Sequence, residues 1–205
     1  MLAYIETRIK EIKEEMSLEE VKEYFNDKCI FSTKEFGEVV NEFIIQPNHD
    51  ILRIILSSKK FKEHNACVNE YGEPIVQAIL YAIQAVCESD EIPEIRKLNF
   101  KESLYNILIE ENNLNWNLTD INIDNPLHII LSLINCFRYE ELLTLIDIAL
   151  KNDINPLNKN CLNQNAIDVV MEFGYEEKQK QTIIAKLATA SDKFIIEVKS
   201  SAYNS

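Results

Sequence analysis

The chain has 205 residues, is 46% hydrophobic and 27% charged, and carries a formal net charge of −13. This composition excludes a chain disordered throughout and suits one good core or two small ones. The charge repels phosphate backbones and anionic membranes, so the expected partner is a protein with a basic surface and not a nucleic acid.

The first helices are expected between residues 2 and 29. Leu2, Ile5, Ile9, Ile12 and Met16 recur at steps of three and four, which puts them on one helical face. Ser17 and Glu20 have the spacing of a capping box, with Leu18, Val21 and Phe25 following on one side. A second box, Ser32 with Glu35, opens a helix whose Phe36, Val39, Val40, Phe43 and Ile44 face a core. Pro47 is expected to stop that helix. Asn48 or Asp50 then caps a short helix through Leu56, and residues 59–69 read as a polar loop.

Pro74 follows Gly72 and begins a helix from Ile75 to Val86 that is apolar on more than one face, so it should lie centrally. Residues 88–94 are acidic and read as a linker or insertion. Asn99 then caps a helix ending near Asn112. An Asn- and Asp-rich connection leads to Pro126, which opens the next helix. A breaker patch at residues 135–138 separates that helix from another, spanning 140–151. Polar residues 152–165 precede a short helix at 166–173, which Gly174 ends. A last helix is expected from about 176 to 190, with Phe194, Ile195, Ile196 and Val198 docking the tail.

Helix pairs thus recur between polar loops, and such pairs bury their apolar faces by stacking on one another. Asn125-Pro126-Leu127-His128 opens one pair and Asn165-Ala166-Ile167-Asp168 the next. In these residues the sequence resembles the ankyrin-repeat family, whose repeats open on a Thr-Pro-Leu-His-like tetrapeptide. Glu73-Pro74-Ile75-Val76 is a third, weaker copy. The resemblance spans roughly residues 34–190. It departs from the family pattern at Asn125, where Thr is usual, and in the spacing of Pro74, Pro126 and Ala166, which exceeds the family's ~33 residues.

The expected fold is therefore all-α: a stacked helix-pair, ankyrin-like solenoid over residues 31–198, with an N-terminal helical cap at 1–30 and a frayed tail at 199–205. Pro74, Pro126, Leu127, His128, Ala166 and Asp168 are the repeat starts. His128 is expected to tie its turn to the backbone of a neighbouring repeat. The resemblance implies protein binding through hairpin tips and a concave helix face, with no cofactor.

No motif for catalysis stands out. The three histidines, His49, His64 and His128, are far apart in sequence, and neither HExxH nor a Gly-rich phosphate loop occurs. His49 reads as a capping or surface residue. Asp120, Asn122 and Asp124 alternate as in a calcium loop, but the glycine and terminal glutamate of an EF-hand are missing. No metal site is expected. The five cysteines, at 29, 67, 87, 136 and 161, form no CxxC pair. They read as small buried hydrophobes in a reducing compartment, a cytosol.

Trp116, the only tryptophan, lies in an Asn-rich tip, where it serves either as an interface anchor or as a plug between repeats. Phe137, Arg138 and Tyr139 sit at a turn between helices, and Asp120 can bring charge beside the tryptophan. These five are the candidate binding residues. Abundant Ile and Asn hint at an AT-rich coding genome, and with the resemblance they suggest a bacterial effector acting in a host cytosol. A neutralising partner of a basic toxin or enzyme fits the charge equally. The rivals are an enzyme on a divergent helical scaffold, using His128 beside Asp168 or a carboxylate pair, and a structural domain of a longer chain.

Overall fold

The structure, a computed structural model, describes residues 2–46 and 49–203, with side chains for 4–46 and 49–194. Among the described residues the fold is all-α. The sole strand-like feature among them is one isolated bridge between Val68 and Pro74. Among the described residues no helix is long and apolar enough to cross a membrane. The chain divides into two compact units, Met1–Asn115 and Trp116–Ser205. That boundary falls inside the single repeat domain expected over 31–198.

The first unit begins with α1 (Leu2–Glu14), α2 (Leu18–Glu23) and a π-helical turn, Tyr24–Lys28. It continues with α3 (Thr33–Ile44), α4 (Asp50–Ser57) and α5 (Lys59–Glu63). It closes with α6 (Ile75–Glu88) and α7 (Glu94–Glu110). Both serine capping boxes form. Ser17 and Ser32 accept from the third helical N–H, and Glu20 and Glu35 accept from the serine N–H at 2.8 Å. Each such cap stabilises its helix start by about 1 kcal/mol. Helix α3 packs on α1, α4 and α6, and α6 packs in turn on α7. The core is aromatic at one end, where Phe25, Phe36 and Phe61 meet ring to ring, and aliphatic elsewhere, with Ile55, Leu56, Ile79, Leu80 and Ile83 fully buried. The unbroken burial of residues 74–80 agrees with a central α6.

The second unit holds two helix pairs, α8 (Pro126–Ser132) with α9 (Tyr139–Lys151) and α10 (Ala166–Glu172) with α11 (Glu177–Tyr203). Helices α8 and α10 pack on each other, burying Leu127, Ile130, Leu131, Val169 and Val170. Tyr175 donates its hydroxyl to the Leu131 carbonyl at 2.6 Å. Helix α11 is tied to α9 by the pair Lys186–Asp147 and to Asp153, just after α9, by Lys193, both at 2.6 Å.

Several sequence expectations need correction. Residues 59–63 form α5, because Ser58 caps them by accepting from the Phe61 N–H. Helix α7 starts at Glu94, five residues before the expected Asn99. Pro93 fits a helix start, and Ile95 and Leu98 escape the inward periodicity because they face outward. Helix α11 runs past Ala190 to Tyr203. The stop at Pro47, the cap at Asn48, the docking of Ile195, Ile196 and Val198, and the last two residues of the tail lie outside the described residues or side chains. Asp50 is the first residue of α4, so the cap position belongs to His49 and not to Asp50.

Candidate binding surface

One loop geometry occurs three times. At Asn69, Asp120 and Asn160 the side-chain Oδ1 accepts from the N–H groups two and four residues on, at 2.8–3.1 Å. In each loop the backbone N–H of that residue donates to the carbonyl four on, and the N–H three on donates back to its carbonyl. The fourth residue is left-handed in every copy: Gly72 at φ 76°, Ile123 at φ 62° and Asn163 at φ 62°. Five residues after the Asx stands the N-cap of a helix, namely Pro74, Asn125 or Asn165. The side chain thus turns a five-residue strip into a closed hairpin and aims the chain into a helix.

This register corrects the alignment made from sequence. Pro74 holds the place of Asn125, one step before Pro126, so the buried Gln77 stands where His128 does. Pro126 and Ala166 occupy the first helical position as expected. Leu127 is fully buried. Asp168 accepts from the Asn165 N–H at 2.9 Å, completing a capping box.

His128 is buried and neutral in its hydrogen bonding. Its Nδ1 accepts from the Asn125 N–H at 3.2 Å, and its Nε2 lies 3.1 Å from the Asn158 carbonyl, to which it donates. Burial holds its pKa below 6.5, against the pull of Asp124 and Asp120. Both ring nitrogens are therefore spent on backbone, one of them on the loop before α10. Two further bonds join the hairpins of this unit: Cys161 N–H to the Asn122 carbonyl at 3.0 Å, and Asn160 Nδ2 to Asp124 at 3.0 Å.

The candidate binding residues do not form an exposed tip. Trp116 is only 3% exposed, and Asp120 and Phe137 are also buried. The Asp120 carboxylate accepts through Oδ1 from two backbone N–H groups of its own hairpin. Arg138 is exposed and pairs with Glu141 at 2.7 Å, while Tyr139 is half-buried. What the tips do expose is aliphatic: Ile121 at 75%, Ile123 at 56% and Leu162 at 71%, on the two hairpins joined through Cys161 and Asn122. A readable signal marked them, since an Asx followed after five residues by a cap leaves the intervening side chains at the tip.

Other expectations fare variously. His49 holds the N-cap position of α4, but its side chain makes no capping bond and it does not face solvent. It is buried, with Nε2 3.1 Å from the Ile44 carbonyl and Nδ1 2.9 Å from Ser103 Oγ. Cys29, Cys67 and Cys136 are buried, Cys87 is half-buried and Cys161 is exposed, all with free thiols. Burial pushes the Cys67 thiol up to about 12, so it stays protonated. Among the described residues no group of three or more His, Cys, Asp or Glu is placed to hold a metal ion. An open groove of about 980 Å³ runs between α9 and α11, lined by Leu150, Ala185, Ala190, Lys178, Lys186 and Lys193. Two of these lysines are already paired with Asp147 and Asp153.

No protein-family model matches the chain, and no curated protein matches it.

Proposed function

We propose that this chain is an ankyrin-like helical-repeat module that binds a protein with a basic surface, with α1 and α2 as its N-terminal cap. The recurrence of one Asx-closed hairpin before the helices at Pro74, Asn125 and Asn165 supports the repeat reading. So does the packing of first helices on one another, α3 on α6 and α8 on α10. The observation that carries the binding reading is the cluster Ile121, Ile123 and Leu162. Three large aliphatic side chains stand in water on two bonded hairpins, a poor place for them without a partner. The net charge of −13 selects a basic partner and speeds its approach. Such a partner suits both a bacterial effector in a host cytosol and a neutraliser of a basic toxin, and the source of the captured protein separates the two.

The test is affinity capture on the immobilised chain beside the variant Ile121→Asn, Ile123→Asn, Leu162→Asn. The variant should melt no lower than the parent and lose the captured protein. Equal capture by both ends the reading. Binding that stays constant between about 50 and 500 mM salt removes the electrostatic part of it.

A further inference from the structure

Helix α7 has two apolar faces, and only one is used. On the inner face Leu104, Ile107 and Leu108 are buried, Ser103 meets His49, and Phe100 stacks edge-on against the His49 ring at 5.1 Å. Helix α6 packs on α7. On the outer face Ile95, Leu98, Glu102, Tyr105 and Ile109 follow at steps of three, four, three and four. That spacing draws a straight stripe along a helix, about 20 Å long over four turns. Ile95 is 64% exposed, Leu98 52% and Ile109 38%, and Tyr105 is half-buried between them. These two apolar faces, one inward and one outward, explain why α7 shows so little amphipathic contrast in its sequence.

We infer that the outer face of α7 is the docking seam for an amphipathic helix that carries lysine or arginine beside its apolar stripe. A three-four spacing is the pattern into which a second helix sets its own ridges, and an extended segment would not match it. The charge of the seam specifies the occupant. Glu94 is already paired with Lys97 at 2.8 Å and Glu110 with Arg53 at 2.5 Å. Glu102 stands exposed in the middle of the stripe, where an apolar residue would otherwise continue it. A carboxylate in a seam is best met by a cation on the facing helix. A second copy of this chain is a poor occupant, because a parallel pairing sets Glu102 against Glu102 and each copy brings a charge of −13. This inference stands apart from the hairpin-tip reading, since it concerns the other unit and different residues.

The experiment uses the full chain and three synthetic peptides of equal length. One is a helix with leucines at three-four spacing and lysine flanks, one has glutamate flanks, and one is a scramble of the lysine peptide. Fluorescence anisotropy should show saturable binding of the lysine peptide alone. The variant Ile95→Gln, Leu98→Gln should weaken it by roughly tenfold or more with an unchanged melting temperature. Glu102→Lys should move the preference to the glutamate peptide. The triple hairpin-tip variant should bind the lysine peptide as the parent does, so that the two readings fail separately. Equal binding of the lysine peptide and its scramble overturns the proposal, as does unchanged binding by the Ile95→Gln, Leu98→Gln variant. A dimer in sedimentation that the same two substitutions dissolve also overturns it, in favour of a second copy.

Discussion

The two units build the same hairpin from different residues and put it to different uses. In the first unit the left-handed position is Gly72, which takes that conformation without cost. The loop then sits so close to α3 that a Cβ on Gly37 would lie 1.9 Å from the Val68 carbonyl oxygen. In the second unit the same position is Ile123 in one hairpin and Asn163 in the other, and the two loops bond to each other through backbone and side chains. The comparison teaches that the Asx and the cap five residues later specify the geometry. The left-handed residue is free to vary, and where it is a branched aliphatic the choice works against local stability.

The largest effects should come from breaking what each unit buries. Trp116→Ala removes a buried indole and should cost about 3–5 kcal/mol. The parent should emit at short wavelength and resist iodide quenching. A long-wavelength, readily quenched indole with a mild stability loss would return Trp116 to the surface. In the first unit Gly37→Ala forces a methyl group into the Val68 backbone, which cannot swing aside, and should cost about 1–3 kcal/mol. Its counterpart is Gly174→Ala in the second unit, where a Cβ meets nothing within 4 Å and melting should stay put or rise. If both glycines tolerate alanine alike, the close seating of the first hairpin on α3 is wrong.

Acid should act on both units through their buried histidines. Burial depresses His49 and His128 below 6.5, with Arg53 adding to the effect at His49 and Asp124 opposing it at His128. The unfolded chain therefore binds these protons first. Their contribution is complete above pH ~6.5 and is lost as pH falls through the folded-state values. Melting temperature should decline from pH 7 to about pH 5, before ordinary carboxylates titrate. His49→Gln and His128→Gln should each flatten part of that slope. A level profile across this window contradicts neutral, backbone-bound rings.

Much of the fold was legible because caps and periodicity are local. Ser17, Ser32, Asn125 and Asn165 announced their helices, and His128 was readable as a tie between turns. What escaped had causes beyond the local sequence. The outward stripe of α7 hid its start at Glu94, since apolar residues on two faces cancel the signal that marks a helix. Trp116 sits in a loop composition that suggests exposure, and only tertiary packing buries it. His49 reads locally as a capping or surface residue because Ser103, its partner, lies 54 positions away. The aliphatic tips are hard to read locally because Ile121, Ile123 and Leu162 are apolar residues in polar loops, and only the closed hairpin turns them outward.

The smallest predicted change separates stability from binding at one atom group. Ile123→Asn places in the first hairpin of the second unit the residue that Asn163 already supplies in the next, at the same φ of 62°. Asparagine enters the left-handed region more readily than a branched side chain, so the variant should gain about 0.5–1 kcal/mol, seen as a melting temperature a few degrees higher. The exposed methyl groups would be gone, so capture of the partner should fall even as the fold tightens. A side chain kept for packing would give the reverse, a loss of stability with binding unchanged, because a fold gains nothing from holding isoleucine in a conformation it resists. Strain at an exposed position is worth keeping only if something outside the chain meets it.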